Sequence, residues 1–204
     1  MGLRHRFVIG LCLAVLPAQA GADMISNKSY SYFTIGGKTA GELDRELSRS
    51  GPFMKETGLH HPGATKMKFT AAVTYESTAN RCRVKSARIS VDTRIILPKW
   101  KHRRQATRSL GVIWDTLSRD IKRHEERHAE IARQYARKID AALLRLPARD
   151  GCDALRAEVN KASERILKAH YAEQASFDRA EAASFERRMS RMLRFKAEAM
   201  AGGG

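Results

Sequence analysis

The chain has 204 residues, 43% of them hydrophobic and 29% charged, enough for one domain with a real apolar core. Lys and Arg number 38 against 22 Asp and Glu, a formal charge of +16 that favours weak association with polyanions. No zinc knuckle, RNP-like segment or helix-turn-helix pattern focuses that charge, which argues against a specific nucleic-acid partner.

At the N-terminus, Arg4 and Arg6 precede an apolar run over residues 7–16, and Ala18-Gln19-Ala20 or Ala20-Gly21-Ala22 offers a small-residue cleavage site. Residues 1–22 therefore read as a secretory signal peptide of an exported protein, periplasmic or secreted. Its loss removes Cys12 and lowers the charge to +14. No later segment is apolar enough to span a bilayer. Residues 23–200 are expected to form a single domain and 201–204 a disordered tail.

Residues 29–35 alternate and carry Tyr30, Tyr32 and Phe33, a strand that should end at Gly36-Gly37. Thr39-Ala40-Gly41-Glu42 is a capping-box pattern opening a short helix with Leu43 and Leu47, closed by Gly51-Pro52. A loop with Gly58, His60, His61, Pro62 and Gly63 follows. Met67, Phe69, Ala71, Val73 and Tyr75 alternate with polar residues, the mark of a half-buried strand. After a turn near Asn80, Cys82 and Val84 begin its partner, and the apolar parity then shifts to Ala87, Ile89, Val91 and Ile95. One extra residue near Ser86 explains the shift, so a bulge is predicted there, with Pro98 ending the strand.

Residues 106–146 contain no proline and one glycine, and their composition predicts a long helix stopped by Pro147. A second helix should start near Asp153, bury Leu155, Val159, Ala162 and Ile166, and run to Met192 or further. Strands first and helices after indicate an α+β fold, a small antiparallel sheet packed with a long antiparallel helical hairpin; a wholly helical bundle is the alternative. Cys82 and Cys152 are the cysteines of the mature chain, and an oxidising compartment makes one disulfide the default.

Within the first long helix, His124-Glu125-Glu126-Arg127-His128 reads HExxH. Imidazoles four residues apart lie one turn apart on one helix face and can grip a single Zn2+, with the carboxylate of Glu125 beside its water. Apolar residues recur at Trp114, Leu117, Ile121, Ile131, Tyr135, Ile139 and Ala142, and the two histidines fill the open slots of that stripe. Two buried histidines need either separate partners or one shared ligand. A zincin-like site needs a third protein donor. Ile131 and Gln134 rule out the extended HExxH motif that ends in a third histidine. Folding the hairpin about residues 147–152 sets 124–128 opposite roughly 171–175, within a turn or two of His170, Glu173, Asp178 and Glu181. Spacing alone does not choose among these four.

The run Tyr32-Phe33-Thr34-Ile35-Gly36-Gly37-Lys38-Thr39-Ala40-Gly41-Glu42-Leu43 with Ser50-Gly51-Pro52 resembles the opening of a bacterial family of predicted secreted zinc-dependent proteases, catalogued as a domain of unknown function. The likeness continues through Cys82, Leu97-Pro98-Lys99-Trp100, Trp114, the HExxH, Cys152 and Phe177-Asp178. Many relatives carry a tyrosine-aspartate pair followed by a histidine. Here the pair is Phe177-Asp178, and Glu181 and Ala183-Ser184 stand where the later residues would be. The resemblance implies Asp178 as third ligand, with Glu181 next, and an exported metallopeptidase acting on a peptide or protein. Glu125 is then the general base. The competing expectation is a non-catalytic envelope binding protein with a structural or vestigial metal site. In either case the basic surface is expected to associate weakly with anionic envelope components.

Overall fold

A computed structural model describes residues 26–55 and 57–202; the expected signal peptide lies outside them. The elements are β1 (Ser26–Ile35), α1 (Ala40–Ser50), β2 (Phe53–Met54), β3 (Leu59–His60), β4 (Ala64–Thr78), β5 (Arg81–Trp100), α2 (Arg108–Leu144), β6 (Arg149–Asp150) and α3 (Cys152–Ala201). Their boundaries follow local chemistry. Thr39 caps α1 by accepting from the Glu42 amide, and the Glu42 carboxylate in turn accepts from the Lys38 amide. Thr107 caps α2 by accepting from the Leu110 amide at 3.3 Å. Ala79 and Asn80, both with positive φ, form the two-residue turn between β4 and β5.

The fold is α+β, as expected, but the main sheet is mixed rather than antiparallel. Its order is β1-β5-β4, with β1 parallel to β5 from Ser26↔Val91 to Ile35↔Trp100 and β4 antiparallel to β5. Grouping of strands in the sequence cannot reveal this, because β1 meets β5 only after the chain has doubled back through β4. The predicted bulge is present. Thr74 pairs with Ser86 and Tyr75 with Val84, which leaves Lys85 as the extra residue. Pro98 does not end its strand: β5 continues to Trp100. The antiparallel pairing with β4 stops at Ile96, so a missing N–H is tolerated beyond it. The expected loop over residues 58–63 contributes a small hairpin, β2 with β3. The expected tail is shorter at its start, since Ala201 still belongs to α3; residues 203–204 lie outside the described part.

One face of the sheet is covered by the helices. Val84, Ala87, Ile89 and Val91 of β5 pack on Ala132, Ala136, Ile139 and Leu143 of α2, with Leu155, Val159 and Ala162 of α3 completing this core. The alanines bring α2 close to the sheet, so the helix buries a wider band than its apolar stripe alone predicts, including Ala129, Ala132 and Ala136. A second cluster joins Ile35, Leu43, Leu47, Trp100 and Trp114, and the Trp100 indole donates to the Gly37 carbonyl at 2.9 Å. Cys82, fully buried, forms the expected disulfide with Cys152, and β6 pairs with the start of β5 beside it. No helix among the described residues is long and apolar enough to cross a membrane.

Closing a loop of 70 residues, the disulfide should contribute about 4 kcal/mol through the entropy of the unfolded chain. Urea unfolding of the Cys82→Ser/Cys152→Ser variant is expected to register a loss of roughly that size, about 4 kcal/mol, with an unchanged native circular-dichroism spectrum. A loss below about 1 kcal/mol would remove the cross-link from the account of stability.

Candidate metal centre

His124, Glu125 and His128 lie in the middle of α2, where the helix is enclosed between the sheet and α3. The antiparallel course of α3 sets Gln174 opposite His128 and Asp178 opposite His124. Asp178 Oδ1 is 2.9 Å from His128 Nε2 and 3.2 Å from His124 Nε2, and the two Nε2 atoms are 3.0 Å apart. These separations are close to the ~3.3 Å edge of a tetrahedron with metal–ligand bonds of ~2.0 Å. Phe177 stacks on the His124 ring, centroids 4.9 Å apart, and meets the His128 ring edge-on at 5.1 Å.

Of the four residues that spacing left open, Asp178 alone meets both imidazoles. Glu181 Oε2 stands 3.8 Å from the other nitrogen of His124, Nδ1, and is held by Arg123 and Arg188. Glu173 accepts from the Tyr135 hydroxyl at 2.8 Å. His170 is buried one turn before Gln174 and reaches the cluster only through it.

Gln174 fixes the state of His128. Its Oε1 lies 2.5 Å from His128 Nδ1, and its Nε2 lies 3.1 Å from the His128 carbonyl and 2.9 Å from His170 Nε2. The amide nitrogen must donate to that carbonyl, so the amide oxygen accepts from His128 Nδ1–H. In the neutral ring the lone pair of His128 then sits on Nε2, facing His124 and Asp178, whereas in the protonated ring that nitrogen donates to Asp178. Burial works against charge on His128, yet Asp178 and Gln174 keep its pKa above the ordinary imidazole value. Burial also works against the Asp178 carboxylate, but hydrogen bonds from His124 and His128 hold it well below the ordinary carboxylate range.

Glu125 turns toward the sheet and is only 5% exposed. The Thr65 hydroxyl is 2.9 Å from both its Oε2 and its main-chain oxygen. Burial raises the Glu125 pKa, opposed by the nearby His128 and His124 and by the Thr65 hydrogen bond. Gly63 makes room for this carboxylate. A Cβ there would stand 2.8 Å from Ile121 Cγ2 and 2.9 Å from Glu125 Oε1. Beside His124, Arg188 forms two 3.0 Å hydrogen bonds to the buried Asp120, and Arg123 joins Asp120 to Glu181. Burial opposes the charge on Asp120, but Arg188 and Arg123 hold its pKa below the ordinary value.

Sequence reasoning missed Gly63, Thr65, Gln174, Asp120 and Arg188. Only Gln174 carried a usable signal, being four residues before Asp178 on the same face of α3.

The family model described as "Bacterial protein of unknown function (DUF922)" matches residues 30–185, from within β1 to the second half of α3, and so includes His124, Glu125, His128, Gln174 and Asp178. No curated protein and no solved structure matches the chain.

Gly63→Ala is expected to cost about 1–3 kcal/mol of stability, since the methyl must displace Ile121 or Glu125. Gly41→Ala, in the first turn of α1 with only a flexible arginine tip nearby, should be neutral or slightly stabilising. Thermal unfolding of the pair checks this, and equal melting temperatures would mean that the space over Glu125 is not tight.

Proposed function

The chain belongs to the bacterial DUF922 family, and from the geometry of its buried cluster we propose that it is an exported zinc-dependent metallopeptidase. The observation that carries this reading is the convergence of three donor atoms, from His124, His128 and Asp178, all within 4.8 Å of one another, next to a buried Glu125. Two imidazoles and a carboxylate suit zinc, and both described cysteines are used in the disulfide, so no thiolate competes. Among the described residues no fourth donor joins the cluster, which favours a site with an open position over a closed structural one.

Zinc bound by these three side chains would supply Lewis acidity, bringing the pKa of a coordinated water toward about 7 and polarising a peptide carbonyl. Glu125 accepts the proton of the attacking water and returns it to the leaving amine as the C–N bond breaks. Thr65 holds one oxygen of Glu125, and the flanking Gly63 leaves space over the other. Gln174 keeps the donor nitrogen of His128 deprotonated toward the cluster, and Phe177 limits rotation of the His124 ring. The substrate is a peptide or protein. The disulfide and the N-terminal signal pattern support a periplasmic or secreted setting.

Elemental analysis should find about one zinc per chain in the parent protein and none in His128→Ala. Glu125→Gln is expected to keep the zinc and lose hydrolysis; surviving turnover in that variant would remove Glu125 from the mechanism. Gln174→Leu should weaken zinc binding about 10- to 100-fold, measured by competition with a chelator, while leaving secondary structure intact. Unchanged affinity would refute the assigned role of the amide.

A further inference from the structure

Between Asp92 and Asp115 the sequence carries six Lys and Arg residues and no carboxylate. The fold gathers part of this run at one place, where the end of β5 and a short 3-10 turn lead into α2. Lys99, Lys101 and Arg104 line a surface hollow of about 650 Å³ together with Tyr32, Trp100 and Ser118. Arg103, also at its rim, is committed to Asp115 by two hydrogen bonds of 2.8 and 2.7 Å. Among the described residues Lys99, Lys101 and Arg104 enter no ion pair. At the opposite end of the molecule, Arg81, Arg83 and Arg156 are each paired with a carboxylate. Three cations without an ion-pair partner are thus gathered around one hollow.

The hollow is concave and has an aromatic wall, since Tyr32 is 62% exposed. Ser118, one of its lining residues, belongs to the helix that carries the candidate centre, six residues before His124. That separation is about 9 Å along the helix axis, or roughly three residues of an extended chain. Tyr32, Tyr30 and Lys28 follow one another on one face of the edge strand β1 and line the same flank of α2. Tyr30 donates to Glu126 there, beside Lys122. Beyond that bridge a second hollow, about 450 Å³, reaches Phe177, which stacks on His124.

We propose that the hollow formed by Tyr32, Lys99, Lys101 and Arg104 docks the acidic stretch of a polypeptide. Carboxylate side chains match its unpaired cations, and the concave shape suits a chain segment better than a flat membrane surface. As a substrate subsite it rests on the metallopeptidase reading, and it then places acidic residues about three positions from the cleaved bond. The docking itself requires neither metal nor Glu125.

The test measures fluorescence anisotropy of a labelled oligoglutamate with the purified protein, with and without chelator, and with Glu125→Gln. Binding is expected in all of these and should weaken as salt rises. Lys99→Gln/Arg104→Gln should weaken it about tenfold, with zinc content unchanged. Arg165→Gln/Arg179→Gln removes the same charge from exposed positions on α3 and should change affinity less than about twofold. Equal losses in the two double variants would overturn the proposal, as would loss of binding in the chelated protein. Stronger binding of an oligonucleotide or of anionic vesicles at the same residues would overturn it as well. A protein that binds no zinc but passes this test keeps the docking surface and loses only the peptidase reading.

Discussion

The middle of α2 has a sheet on one side and a second helix on another, and this enclosure governs much of the structure around it. A buried polar group must find a partner or carry a desolvation cost of roughly 1–3 kcal/mol. Along this stretch Asp120, Glu125 and His128 are all buried. Each is answered by a residue from another element: Asp120 by Arg188, Glu125 by Thr65, His128 by Gln174 and Asp178. The polar ladder between the long helices therefore sets their relative position as firmly as the apolar contacts do.

The apolar end of the hairpin supplies the other half of that positioning. Leu143, Leu155 and the Cys82–Cys152 bridge, all beside the start of β5, anchor the turn between the helices to the sheet. From this anchor the two helices run side by side past Gln174, Asp178 and Arg188 to Lys196, which donates to Thr116 near the other end of α2. The cluster lies well inside this span, so its donors do not depend on frayed helix ends. Arg188 and Glu181 then brace the side of His124 that faces away from Asp178.

Among the described residues two buried side-chain atoms remain unsatisfied. His170 Nδ1 and Asp140 Oδ1 have no hydrogen-bond partner. For His170 this follows from the roles of its neighbours. Gln174 donates to Nε2, so the proton belongs on Nδ1, and the ring is packed between Tyr135 and Phe69. Burial lowers its pKa and keeps the ring neutral, as an acceptor from Gln174 requires. For Asp140, burial with no opposing partner raises the pKa of the carboxyl.

The sequence by itself determined what local periodicity and chemistry encode. The four-residue spacing of His124 and His128 puts them on one helix face, the parity change along β5 requires a bulge, and two cysteines behind a signal-like N-terminus imply one bridge. Simple hairpin geometry, though, suited Glu173 or His170 better as third donor, and only the resemblance put Asp178 first with Glu181 next. Tertiary structure decided the remainder. The pairing of His128 with Gln174 spans 46 residues and that of Asp120 with Arg188 spans 68. Such contacts depend on how far one helix slides along the other, and a change of a few residues in the turn would bring a different side chain forward. The parallel course of β1 and the need for glycine at position 63 are of the same kind. Each arises from the meeting of distant segments, and the physical reason for it exists only once they have met.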